Sequence, residues 1–350
     1  MNADVVRAVV VTQLSGPLAR YGRAGVAALR LWARREHAGL EVHDAGRHVS
    51  EAMRAATATR PDLVFGPYGS GPAVAAARAT LRLVWNHGGA TTRLAHHHVV
   101  NVPAPAATYF HGALEAVHAA DPDARGVALL HADTGFGREV AAGARQAAAR
   151  LGVASTVVES PRGGVADVLP QLPAAEVVGV AAGFQDEVAA ARALVNDRSR
   201  RAVVLVAAGV EEVLAALGDA RDGLLGPAQW MPSAAPEPDE GPDADWFVDA
   251  YRRETGTEPP YPAAQAFAAG VIASACLADA GTADDQALYA SASRLRCTTL
   301  FGPFRLDPDT GLQAGHEVLT VQWQEGVRRI VWPPHRAERE LRYPRVGQRG

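Results

Sequence analysis

The chain has 350 residues, 48% of them hydrophobic, with a formal net charge of −4 and a pI near 6.3. That much apolar material fills a substantial core and suits two domains better than one. The lack of net positive charge excludes the basic field that nucleic-acid binding needs, so no nucleic-acid partner is expected.

Residues 5–11 form an apolar run with Arg7 inside it and no small-residue cleavage site after it. It reads as a first strand, and neither a signal peptide nor a membrane span is expected in the sequence as given. A helix follows over 23–37, ended by Gly39, then a strand at 40–44, a helix at 50–60 and a buried strand at 62–65. Gly66-Pro67 stops that strand, and alanine-rich sequence over 73–80 reads as a helix with Pro72 near its first turn. Residues 81–85 form the next strand, whose exit loop, 86–92, is rich in glycine and threonine. Residues 99–105 hold two prolines in an extended stretch, which suits a crossover better than a central strand.

A second series begins with a helix at 106–119. Strands are expected at 126–131, 153–159, 177–182, 202–207 and 223–227, and helices at 137–151, 165–169, 186–196 and 211–217. Residues 231–243 have linker composition, followed by helices at 244–255, 261–280 and 284–294. Short strands end the chain at 301–306, 317–323 and 327–331, before an arginine-rich tail, 334–350, expected to be loosely attached. The fold class is α/β: two doubly wound parallel-sheet lobes of similar pattern.

Loops at the carboxyl edge of an open parallel sheet are where ligands bind. Tyr68-Gly69-Ser70 brings a phenol, backbone N–H groups at a helix start and a hydroxyl to one such loop, a setting for a carboxylate or carbonyl oxygen. Ser70 is not a nucleophile elbow, because Tyr68 and Pro72 stand where glycines are required. It is a ligand-facing hydroxyl or a solvated turn serine, and no enzymatic activity is expected. His96-His97-His98 cannot share one face of a strand or helix, so no metal site is assigned. Gly88-Gly89 and Gly163-Gly164 lack the rest of a phosphate-loop or dinucleotide pattern, so no cofactor is assigned either. Cys276 and Cys297 make no disulfide framework, and Cys276, in an apolar run, reads as an inert buried thiol.

Five stretches in consistent order resemble the type I periplasmic binding proteins of the branched-chain amino-acid transporter family, with amide-sensing relatives next. They are Ser15-Gly-Pro-Leu-Ala-Arg-Tyr-Gly22, Phe65-Gly-Pro-Tyr-Gly-Ser-Gly-Pro72, Gly89-Ala-Thr91, His131-Ala-Asp-Thr-Gly-Phe-Gly137 and Phe301-Gly-Pro-Phe-Arg-Leu-Asp-Pro308. The resemblance implies a two-lobed clamp: lobe 1 from 1–104 and 231–301, lobe 2 from 105–230 and 302–333. Three hinge strands would join them near 103–105, 229–232 and 300–302, and a small ligand (an amino acid, an amide or a small carboxylate) would be enclosed on closure and delivered to an ABC permease.

It also implies roles for single residues. The Gly69-Ser70 loop would hold the ligand carboxylate, with the carbonyl side of Gly89 and Ala90 and the hydroxyl of Thr91 or Thr92 beside it. Tyr21, Tyr68, Phe136 and Phe184 would supply aromatic walls, or else pack as core and shielding residues. Amino-acid binders of the family carry an acidic residue where Ala208 stands here, so either the ligand lacks an amine or Glu211 reaches in. The family is extracytoplasmic. The absence of a leader and the phenol at Tyr68 keep a cytoplasmic amide-like sensor as the alternative.

Overall fold

The computed structural model describes residues 5–124 and 126–345, leaving aside the side chains of Glu211 and Glu212. The chain divides into two compact units, one built from Met1–Pro105 and Trp230–Glu317, the other from Ala106–Gln229 and Val318–Gly350.

The first pass through unit 1 gives β1 (Arg7–Thr12), α1 (Ala19–Arg35), β2 (Gly39–Asp44), α2 (Val49–Ala58), β3 (Leu63–Phe65), α3 (Ser70–Ala79), β4 (Val84–Asn86) and β5 (Val99–Asn101). The five strands pair in the order β2-β1-β3-β4-β5, every pair parallel. Side chains alternate across the pleat. Val10, Phe65 and Trp85 face the core shared with α1, whereas Val9, Val64 and Val84 face α2 and α3. The segment at 99–105 is therefore not simply a crossover. Its first residues form an edge strand, with Val84 opposite Val99 and Asn86 opposite Asn101, and the prolines fall just beyond the ladder, where no N–H is required of them.

Unit 2 follows with α4 (His111–Ala120), β6 (Gly126–Ala132), α5 (Gly135–Arg150), β7 (Ala154–Ser160), α6 (Val165–Val168), β8 (Val177–Ala181), α7 (Phe184–Leu194), β9 (Ala202–Leu205), α8 (Glu211–Leu214) and β10 (Leu225–Ala228). Back in unit 1 come α9 (Ala244–Thr255), α10 (Tyr261–Ala280), α11 (Asp285–Arg294), β11 (Cys297–Thr299) and β12 (Gly302–Phe304). The last pair, β13 (Leu319–Gln324) and β14 (Val327–Trp332), extends the sheet of unit 2 in the order β14-β13-β10-β9-β8-β6-β7, antiparallel only from β10 outward. Helix α10 is long and apolar enough to cross a membrane by composition, yet its sequence is that of a core helix, buried from Pro262 to Ala273 against the α1 side of the sheet.

Two expected boundaries move. Residues 302–317 belong to unit 1 rather than to the second lobe, because β12 pairs with β11 and Leu306 bridges Gln313 within that unit. The tail is not loose as far as Arg345. Its guanidinium donates to the carbonyls of Val195 at 3.0 Å, Asp197 at 2.7 Å and Arg200 at 2.8 Å, while Gln322 and Gln324 donate to Arg342 and Glu340. A forked, many-donor cation ties down backbone that carries almost no aliphatic surface.

Candidate functional site

In unit 1 the exits of β3 and β4 are built as one piece. Gly69 caps α3 with φ of +97°, a conformation glycine adopts without strain, and its N–H donates to the Gly88 carbonyl at 2.9 Å. α3 starts at Ser70, not at Ala73, so this serine sits in the first helical turn and its Oγ accepts from the Ala90 N–H at 3.2 Å. Asn86, the last residue of β4, organises the other side. Its Nδ2 donates to the Gly89 carbonyl (2.7 Å) and to Asn101 Oδ1 (2.9 Å), and its Oδ1 accepts from the Gly89 N–H (2.8 Å). A Cβ on Gly89 would lie 2.4 Å from Ala73 Cβ and 2.7 Å from Leu94 Cδ1, so only glycine fits between loop and helix. Thr91 is buried and caps the following turn by accepting from Arg93 N at 3.2 Å, whereas Thr92 is exposed.

Beside this loop pair stands an aromatic wall. Tyr21, inside α1 rather than ahead of it, stacks on Tyr68 with centroids 4.6 Å apart, and both rings are buried. The Tyr68 hydroxyl hydrogen-bonds the Tyr261 hydroxyl, and the Arg20 guanidinium lies 4.5 Å from the Tyr21 ring centroid and donates to its hydroxyl. The structure thus brings together Tyr21, Tyr68, Gly69, Ser70, Gly89, Ala90 and Thr91. Tyr261, Arg20 and Asn86 join them without having been singled out from sequence. An Asn at a strand end, two residues before Gly88-Gly89, is a turn signal that could have marked Asn86. Nothing marked Tyr261, at a helix start nearly two hundred residues away. His87, next to Asn86, is buried, and burial pushes its imidazole down to about 4 against the pull of backbone at Gly66.

In unit 2 the corresponding edge carries Phe136 and Phe184, both in first turns, of α5 and α7, after the adjacent strands β6 and β8. Phe136 is half-buried, edge-on to Tyr109 at 5.7 Å, and the Tyr109 hydroxyl accepts from Gln229 at 3.1 Å. Phe184 is half-buried against the apolar cluster of α6 and α7. Ala208 is fully buried, and its carbonyl accepts from the Trp323 indole at 3.0 Å. The side chain of Glu211 lies outside the described residues.

The carboxylate that does organise this edge is Glu187, fully buried in the first turn of α7. Its two oxygens accept from Ala182 N at 2.9 Å and Ala207 N at 2.6 Å, tying the β8 exit to the β9 exit. Burial raises its pKa to about 8 against the opposing pull of those N–H groups.

Chemically, the unit 1 loops can donate to and accept from a small polar ligand. Ser70 bonds a backbone amide rather than a base, which is no arrangement for nucleophilic attack. Among the described residues no group of three histidine, cysteine or acidic side chains could hold a metal ion, and Cys276 and Cys297 are free, buried thiols.

Parallel sheets in two units, with loops gathered at the strand ends, define the architecture of a two-domain binding protein. The sequence matches the periplasmic binding protein family over residues 5–328, and the chain belongs to that family. Solved structures of similar fold include a leucine-binding protein from Thermotoga maritima (17% identity, 93% of this chain and 97% of that one, TM-score 0.75). Another is the leucine-, isoleucine-, valine-, threonine- and alanine-binding protein from Brucella ovis (14%, 91% and 90%, TM-score 0.79). A third is an ABC-transporter solute-binding protein from R. palustris in complex with benzoate (13%, 93% and 95%, TM-score 0.74). The branched-chain binding-protein resemblance seen in the motifs is thus matched by family and fold alike. The sensor alternative gains no support from these relatives.

Proposed function

We propose that this chain is the extracytoplasmic solute-binding component of an ABC transporter and that its ligand is a small carboxylate with an apolar or aromatic body and no ammonium group. The observation that carries this reading is the loop cluster of unit 1. Ser70 and the Ala90 backbone meet at a helix N-terminus, where negative charge is favoured, and Tyr21 and Tyr68 flank them under the Arg20 cation. Thr92 joins the proposed ligand set of unit 1, and Phe136 and Phe184 are proposed, from the resemblance alone, as the ligand-facing aromatics of unit 2. The relatives' named ligands are leucine in one case, leucine, isoleucine, valine, threonine and alanine in another and benzoate in the third; all carry a carboxylate, and benzoate is the one without an amine.

The exclusion of an amine rests on Ala208. The resemblance implies an ammonium-neutralising acid at about this position, where a fully buried alanine stands; a contribution from Glu211 is the alternative that the amino-acid arm of the titration below would reveal. An ammonium desolvated without a counter-charge costs several kcal/mol.

The test is calorimetric titration with matched pairs: leucine against 4-methylpentanoate, and phenylalanine against 3-phenylpropanoate and benzoate. The amine-free member should bind at least about tenfold tighter, which is about 1.4 kcal/mol. Tighter binding of the amino acid would overturn the ligand class. Failure of every carboxylate to bind would overturn the site.

A further inference from the structure

Side chains from separate stretches of the sequence meet at the loop-bearing edge of unit 2. Strands β6, β8, β9 and β10 run parallel, so the exits of β6 and β10 open on one edge, with Phe136 in the first turn of α5 and Gln229 directly after β10. Tyr109 stands just ahead of α4, whose other end leads into the start of β6, and that places it with the strand exits. Its ring meets Phe136 edge-on, with centroids 5.7 Å apart, and Gln229 Nε2 donates to its hydroxyl at 3.1 Å.

The phenol is only half used. Tyr109 is 8% exposed and Gln229 5%. A tyrosine hydroxyl both accepts and donates. Here the accepting side is taken by Gln229, whereas the O–H of Tyr109 meets no acceptor among the described residues. Burial pushes this phenol up to about 12, so it keeps that proton at neutral pH. Buried tyrosine hydroxyls are as a rule paired. An unused donor beside an aromatic ring, at the edge of a parallel sheet where ligands bind, calls for an oxygen acceptor on the ligand.

We propose that Tyr109 is a specificity-determining residue that donates its O–H to an ether, carbonyl or hydroxyl oxygen on the body of the ligand, with the bond from Gln229 holding the phenol in place. The proposal rests on the carboxylate reading above and narrows the ligand class to acids that carry a second oxygen function away from the carboxylate.

Calorimetric titration of the full chain with near-isosteric pairs tests it: 4-methoxybenzoate against 4-ethylbenzoate, and 4-oxopentanoate against 4-methylpentanoate. In at least one pair the oxygen-bearing acid should bind wild type at least about tenfold tighter, because its counterpart leaves a buried donor unpaired. Tyr109→Phe keeps the ring and should bring that pair within about twofold of each other, by weakening the oxygen-bearing acid and sparing the other. Gln229→Glu keeps the phenol but offers its proton an acceptor inside the protein, and it should narrow the same ratio. A merely structural role would shift both members of a pair alike. Binding of the acids with no oxygen preference in either pair, or a preference that survives Tyr109→Phe, would overturn this inference and leave the carboxylate reading standing. Failure of every acid to bind would overturn both.

Discussion

Replacing Glu187 by glutamine tests how the loop-bearing edge of unit 2 is held. The side chain is fully buried and spans two strand exits through Ala182 N and Ala207 N. Its pKa rises from 4.5 to about 8 because burial outweighs those donors. Between those values the folded chain keeps a proton that the unfolded chain releases, so folding is favoured by low pH. The contribution is fully present below about pH 4.5 and is lost as pH rises through about 8. At about 1.4 kcal/mol per pKa unit it amounts to about 5 kcal/mol.

Glutamine is uncharged at every pH and nearly the same size, so Glu187→Gln should remove this slope. It should also cost about 1–3 kcal/mol, since its NH2 meets an N–H donor in place of an acceptor. Scanning calorimetry of ligand-free wild type and variant at pH 5, 6.5 and 8 reads both effects. The reasoning is refuted if the variant keeps the wild-type loss of stability between pH 5 and 8, or if wild type shows none that the variant lacks.

The remaining expectations concern unit 1. Ser70→Ala should weaken ligand binding by about 1–3 kcal/mol in calorimetric titration and leave the apo fold intact, with a modestly lower melting temperature because the Ala90 amide loses its acceptor. An unchanged affinity would take Ser70 out of the site. Gly89→Ala places a methyl against Ala73 and Leu94, and should destabilise unit 1 by about 1–3 kcal/mol in denaturant unfolding; a neutral result would show that the loop has room to shift. His87 has the opposite sign to Glu187. With its pKa lowered from 6.5 to about 4, the unfolded chain takes up the proton first, so stability is complete above pH 6.5 and is lost as pH falls through 4, by about 3 kcal/mol. His87→Gln should flatten the acid limb of the melting curve, and an unaltered limb would clear this residue of it.

The sequence by itself determined the order of strands and helices, because β1, β3 and β4 are short apolar runs bounded by glycine and proline and the helices between them are alanine-rich and periodic. The same local chemistry exposed Gly69-Ser70 and Gly88-Gly89 as loops at strand ends. What joins those loops was decided by tertiary structure. The Gly69 to Gly88 and Ser70 to Ala90 bonds, and the Asn86 carboxamide that braces them, depend on β3 and β4 lying side by side. Tyr261 reaches Tyr68 from a distant helix by the same route.

Glu187 is the sharper case: on an alanine-rich helix a glutamate reads as solvated, and only the convergence of two strand exits supplies the backbone donors that let it be buried. Residues 302–317 likewise read as the start of the second lobe until β12 is seen to pair with β11. Periodicity and turn chemistry are written in neighbouring residues, whereas a hydrogen bond across a gap of many residues exists only once the chain has brought its two ends together.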